Sequence, residues 1–221
     1  MSWESSAQYY AILNREAMRR LGHPHSARTL MLSVDFGAIE RLQHLGQWDA
    51  LGVMLADEAR RLEAGGADCL ILCTNTMHLV ADRIQAAVGI PMLHIADPTG
   101  AAIRGAGITR IGLLGTAFTM EQPFYRDRLA REFGLEVLVP DAEERAAIHR
   151  VIYDELIGGI VRPESRAAYL AVIARLRARG AEGIILGCTE IMLLIGQDDV
   201  DLPVFDTTTL HAMAAVDFAL G

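Results

Sequence analysis

Two cysteines carry the strongest chemical signal in the chain. Cys73 closes the apolar run Cys69-Leu70-Ile71-Leu72, Cys188 follows Gly183-Ile184-Ile185-Leu186-Gly187, and each is followed by a threonine. The carboxyl end of a strand leading into a helix is where open α/β sheets place their ligands. Unpaired N–H groups and partial positive charge at such a helix start lower a thiol pKa and cradle a carboxylate. Two thiols flanking one tetrahedral carbon fit a specific reaction, in which one, as thiolate, removes a proton and the other, as thiol, returns one to the opposite face. Negative charge then develops on the adjacent carboxylate, for which Thr74, Asn75, Thr76, Thr116 and Thr189 are candidate donors. The same Thr and Asn residues are also ordinary helix caps. Glu190 stands where it either orients or polarises Cys188 or simply favours a helix start as an acid. Cys69, inside its run and matched by Gly183, reads as core packing.

The two cysteine segments are copies of one another. Gly66-Ala67-Asp68-Cys69-Leu70-Ile71-Leu72-Cys73-Thr74-Asn75 aligns with Gly180-Ala181-Glu182-Gly183-Ile184-Ile185-Leu186-Gly187-Cys188-Thr189-Glu190, with one inserted glycine, and Ile90-Pro91-Met92-Leu93 matches Leu202-Pro203-Val204-Phe205 downstream. An internal duplication predicts two pseudosymmetric lobes, with the active site in the cleft between them. The expected divisions are 1–97, 98–208 and a C-terminal helix, 209–221, packing back on the first lobe. Strands are expected at Arg28–Ser33, Cys69–Leu72, Met92–Ile95, Arg110–Leu114, Glu136–Val139, Gly183–Leu186 and Val204–Phe205. Helical patterns cover Ala7–Leu21, Trp48–Ala64, Met77–Val88, Glu121–Phe133, Ala142–Gly158, Glu164–Arg179 and Thr209–Leu220. Apolar strands alternating with amphipathic helices predict an α/β fold whose mainly parallel sheets are flanked by helices. The strand before Thr116 has no counterpart ahead of Met1-Ser2-Trp3, so the first lobe is expected to lack its first strand or to have a misassigned start.

Composition narrows the field. At 221 residues, 52% hydrophobic and 22% charged, the chain is too apolar for disorder, yet it has no apolar run of the ~18 residues that a membrane span needs. A net charge of −8 argues against a nucleic-acid partner. All 20 basic residues are arginine, which excludes lysine Schiff bases, lysine general bases and a P-loop. Three cysteines make no disulfide framework and point to a cytoplasmic protein. His23, His25, His94 and His211 form no metal-ligand spacing with the cysteines, and no metal is expected. His78, five positions past Cys73, is expected at the surface or an interface. Asp97 and Asp206 read as helix caps or supporting groups, and the methionines as core.

Met1-Ser2-Trp3-Glu4-Ser5, Cys73-Thr74-Asn75-Thr76-Met77-His78 and Gly187-Cys188-Thr189-Glu190-Ile191 resemble the three signatures of the cofactor-independent aspartate/glutamate racemase family. The resemblance extends through Ser33-Val34-Asp35-Phe36 and Leu93-His94-Ile95-Ala96-Asp97 to essentially the whole chain. It implies a two-lobed α/β fold, Cys73 and Cys188 as acid and base, no cofactor or metal, a small amino acid substrate and a homodimer. It also places Met1 and Ser2 among the substrate-binding residues, and the family normally begins with a strand ending in Gly-Gly, which is not seen here. Aspartate-specific members carry an Arg after the second strand and a Lys in the second lobe. Here Phe36–Gln43 offers Arg41, read as a surface residue beside Glu40, and Gln43, a neutral donor and acceptor and the better candidate for the substrate; Leu156–Ile160 holds no cation. The expected activity is therefore racemisation of broad or neutral-polar specificity, nearest the broad-specificity amino acid racemases. Alternatives are maleate isomerisation or malonate decarboxylation on the same scaffold, a non-catalytic small-molecule-binding protein, and a thiol redox protein. Single-thiol decarboxylases lack one cysteine of the pair, and no Cys-x-x-Cys is present.

Overall fold

A computed structural model describes all residues, Met1–Gly221. The chain divides into two compact units, one of Met1–His94 with His211–Gly221, the other of Ile95–Leu210.

The first unit contains helices α1 (Trp3–Leu21), α2 (Phe36–His44) and α3 (Trp48–Ala64), strand β1 (Leu70–Ile71), the short helix α4 (Ala81–Gln85) and strand β2 (Met92–Leu93). The two strands pair in parallel, Leu70 with Met92 and Ile71 with Leu93. One apolar cluster gathers Ile39, Leu51, Leu55 and Met77; another joins Tyr9 and Leu13 of α1 to Ala212 and Val216. Two of the helix starts have a local cause. Ser2 caps α1 by accepting the Ser5 N–H, and Asp35 caps α2 by accepting the Gly37 N–H.

The second unit runs α5 (Ala96–Gly105), β3 (Arg110–Gly115), α6 (Ala117–Glu121), α7 (Pro123–Phe133), β4 (Glu136–Leu138), α8 (Ala142–Asp154), α9 (Pro163–Ala178), β5 (Ile184–Gly187) and β6 (Val204–Asp206). Its four-stranded sheet is wholly parallel in the order β4-β3-β5-β6. The central strands are covered on both faces, with Ile111, Leu113, Leu114, Ile184 and Ile185 fully buried. Each such side chain stabilises the fold by about 1.5–3 kcal/mol relative to exposure. Asp141 and Glu144 form a reciprocal capping box at the start of α8. A last helix, α10 (Thr207–Leu220), begins in this unit and passes into the first at His211.

The α/β class with parallel sheets flanked by helices is as expected, but several elements differ. Arg28–Ser33 is not a strand: the first unit's only ladder is β1 with β2, and the segment has no neighbour to exchange hydrogen bonds with. The helix expected over Glu121–Phe133 is two helices, because Pro123 lacks an N–H and starts α7 afresh at its first position. Met77–Val88 is a tight 3-10 turn, Thr76–Val80, followed by α4. Ala142–Gly158 ends as a helix at Asp154 and closes with a 3-10 turn. Helix α5 lies outside the expected stretches, and α2 gives Arg41 its helical setting beside Glu40. Of the methionines, Met77 and Met120 are core residues, whereas Met18 and Met31 are exposed. No helix is long and apolar enough to cross a membrane.

Candidate active site

In the second unit the candidate residues gather at the carboxyl edge of the sheet. Strands β3 and β5 end in register, Gly115 opposite Gly187, so Thr116 and Cys188 leave adjacent strands side by side. The glycines are required there: a Cβ on Gly115 would lie 2.8 Å from the Gly187 carbonyl oxygen, and one on Gly187 2.8 Å from that of Leu114. Cys188 is buried and its thiol donates to Oε2 of Glu190 at 2.9 Å; the Thr189 hydroxyl donates to the same oxygen at 2.8 Å. Burial pushes the Cys188 thiol well above its ordinary range, and the Glu190 carboxylate raises it further. Thr116 caps α6, accepting the Thr119 N–H at 3.2 Å, and the two hydroxyls lie 3.2 Å apart. The Ala117 N–H between them donates to Nδ1 of His149, on α8, at 3.2 Å. Just past the next strand the Thr207 hydroxyl donates to the Leu186 carbonyl, and Asp206 caps α10 through the Thr208 and Thr209 N–H groups.

In the first unit Cys73 stands one residue beyond β1, half-buried, its Sγ 3.9 Å from the Ile71 carbonyl oxygen. Burial raises this thiol to about 11. The start of α1 lies against the same turn: the Met1 ammonium donates to the Cys73 carbonyl at 2.6 Å and the Ser5 hydroxyl at 3.4 Å. Thr74, Asn75 and Thr76 follow as a buried polar turn. Gln43, on α2, is buried and its amide donates to the Met77 sulfur at 3.0 Å, so α2 also reaches the segment after Cys73.

The first unit thus brings together Met1, Ser2, Gln43, Cys73, Thr74, Asn75 and Thr76, and the second Thr116, Cys188, Thr189 and Glu190. Arg41 is exposed, and Asp97 forms an ion pair with Arg128 at the start of α5. His78 overturns its expectation. It is 3% exposed, not on the surface, its ring turned inward onto the Thr74 carbonyl. Sequence reasoning passed over Ser5, Thr119 and His149. The Thr116-x-x-Thr119 spacing is a capping signal that could have found Thr119, but nothing local to His149 marks its reach to Ala117. No group of three or more His, Cys, Asp or Glu side chains is placed to hold a metal ion.

Residues 1–215 match the Asp/Glu/Hydantoin racemase family. The chain belongs to that family. As one of its racemases it is an enzyme. It is 51% identical to a Yersinia pestis protein whose crystal structure is named as that of a "putative Asp/Glu Racemase", with a TM-score of 0.92 over 100% of this chain and 96% of that one. An aspartate racemase homologue from Pyrococcus horikoshii OT3, PH1733, is 32% identical with a TM-score of 0.84, over 99% of this chain and 95% of that one. The broad specificity amino-acid racemase RacX of Bacillus subtilis (strain 168) is 26% identical over 172 residues, 76% of this chain and 72% of its own.

Proposed function

We propose that this racemase interconverts the enantiomers of a free amino acid by moving the α-proton between Cys73 and Cys188, without a cofactor, and with broad or neutral-polar rather than strictly aspartate specificity. The observation that carries the reading is one turn built twice: in each unit a Cys-Thr pair follows a parallel strand and opens a buried polar turn. One sulfur, as thiolate, takes the α-hydrogen and leaves its bonding pair on the α-carbon, delocalised into the carboxylate. The other sulfur then delivers its proton to the opposite face, and the two exchange roles in the reverse direction. Burial keeps both thiols protonated in the empty protein. The ammonium of a bound amino acid, close to either sulfur, favours its ionisation. Thr74, Asn75, Thr76, Thr116 and Thr189 supply donors for the carboxylate on which charge builds.

Specificity follows from what stands near the first turn. Gln43 is buried and neutral, Arg41 is exposed, and the Met1 ammonium is engaged by the Cys73 carbonyl. A neutral-polar side chain therefore meets a donor and acceptor at Gln43, whereas a second carboxylate finds no arginine or lysine side chain offered there. The likeness to RacX, named for broad specificity, points the same way. The test is a panel of L- and D-amino acids in heavy water, followed by NMR at the α-carbon. Deuterium uptake with inversion for several neutral-polar substrates is expected. No uptake anywhere in the panel would sink the proton-transfer reading, and a strict preference for aspartate or glutamate would sink the specificity.

A further inference from the structure

Behind the Cys73 turn lies a group of aromatic and imidazole side chains that the proposed proton transfer does not use. His78 is buried, and its Nδ1 stands 2.7 Å from the Thr74 carbonyl oxygen. A carbonyl only accepts, so Nδ1 carries the hydrogen and His78 holds the residue next to Cys73. The ring is itself held, with the His94 ring at 4.4 Å and the His211 ring at 6.0 Å, both edge-on. His211 is fully buried and fixed at both nitrogens: Nε2 donates to the Leu93 carbonyl at 2.8 Å, which leaves Nδ1 to accept from the Tyr9 hydroxyl at 2.9 Å. Tyr9 returns the chain of contacts to α1, whose Ser5 hydroxyl donates to the Cys73 carbonyl.

We propose that His78 is a positioning residue for Cys73: through its Nδ1–H bond to the Thr74 carbonyl, with its ring packed against His94 and against a His211 that Tyr9 holds, it sets where the thiol and the donors after it stand. A catalytic geometry displaced by even 1 Å loses rate steeply, so a bond one peptide away from the reacting sulfur is enough to matter. The repeat supports a dedicated role. Leu193 occupies the corresponding position in the second unit, where Cys188 is instead held directly by Glu190.

The inference rests on Cys73 being a reacting group, and its test separates the two ideas. His78→Asn keeps an N–H at the Nδ1 position; His78→Leu keeps bulk but no donor; Tyr9→Phe removes only the hydroxyl that holds His211. For each variant, kcat and KM on the best substrate of the panel and the rate of Cys73 alkylation by iodoacetamide between pH 7 and 11 are measured, with peptide mapping to isolate Cys73. His78→Leu is expected to lose about 30-fold in kcat with little change in KM, and to alkylate at Cys73 at least fivefold faster at pH 8, because a released turn admits water to the sulfur. His78→Asn recovers most of both, and Tyr9→Phe moves both in the direction of His78→Leu by about threefold. Wild-type alkylation in His78→Leu, or equal damage from His78→Asn and His78→Leu, overturns the proposal. If His78→Leu does not fold, the comparison of Tyr9→Phe and His78→Asn with wild type decides it in the same way. Should the wild type racemise nothing, the alkylation arm still reports on His78 while the proton-transfer reading alone falls.

Discussion

The two Cys-Thr turns share a sequence and a place in their sheets but not an electrostatic setting. Cys188 donates its thiol hydrogen to a buried carboxylate that Thr189 also holds. Cys73 has no carboxylate partner at that position, where the repeat places Asn75, and makes only a long contact to the Ile71 carbonyl. A thiolate at Cys188 would face the Glu190 charge, whereas one at Cys73 has burial alone to overcome. The two turns therefore keep the same Cys-Thr pair and differ in the cost of ionising its thiol. Substrate and product are mirror images, and an enzyme acting on both faces tolerates unequal thiols as long as each direction passes through both. In the proposed reaction this difference would make Cys73 the readier base and Cys188 the better-held acid.

The comparison breaks first at the sulfurs. Cys73→Ser and Cys188→Ser are each expected to lower kcat for racemisation at least about 10³-fold, since a serine hydroxyl is a far weaker acid than a thiol and neither ionises nor returns a proton on the same timescale. Polarimetry on the best substrate measures this. Either variant retaining a tenth of wild-type activity would remove its cysteine from the reaction and with it the two-thiol reading.

A smaller effect isolates the asymmetry itself. Glu190→Gln keeps an oxygen that accepts from the thiol but removes the negative charge. Its expected consequence is a 10- to 100-fold loss in kcat, with the alkylation midpoint of Cys188 moving down and that of Cys73 unmoved. Alkylation followed by peptide mapping resolves the two sulfurs. A Cys188 midpoint unchanged in Glu190→Gln would mean that burial alone governs that thiol and that the two turns are electrostatically alike.

Legibility in the sequence followed the range of the interactions concerned. The parallel strands of the second unit and the paired Cys-Thr turns could be read because a buried strand is continuously apolar and a duplicated turn repeats its residues. Arg28–Ser33 carries only the short apolar run Leu30-Met31-Leu32 and forms no ladder, because pairing depends on a neighbour as well as on the segment's own residues. Pro123 could have announced the break between α6 and α7, since a ring without an N–H starts a helix more readily than it continues one. His78 was misread for a subtler reason. Helical spacing from Cys73 sets it off the cysteine's face, whereas its ring bonds the Thr74 carbonyl and packs edge-on against His94 and His211, contacts that spacing does not encode. The contact between His149 and Ala117 spans two helices and has no local trace at all.

The smallest predicted effect tests the first turn through stability. The Cys73 thiol, raised to about 11 by burial, keeps its proton in the folded protein at pH values where the unfolded chain has released it. The unfolded state then binds fewer protons, so stability must fall as pH rises. The window is set by the two values: nothing changes below the ordinary thiol range near ~8.5, and the loss is complete once the folded-state value has been passed. A displacement of this size corresponds to roughly 2–3 kcal/mol at its full extent. Cys188, also raised by burial, adds a loss of the same sign. Denaturant unfolding at pH 8 and pH 10.5 should therefore show wild type losing more stability than Cys73→Ala, with the difference about 2 kcal/mol and of that sign only. Equal losses in the two proteins would place the Cys73 thiol in the ordinary solvated range, and its readiness as a base would then need no help from the substrate's ammonium.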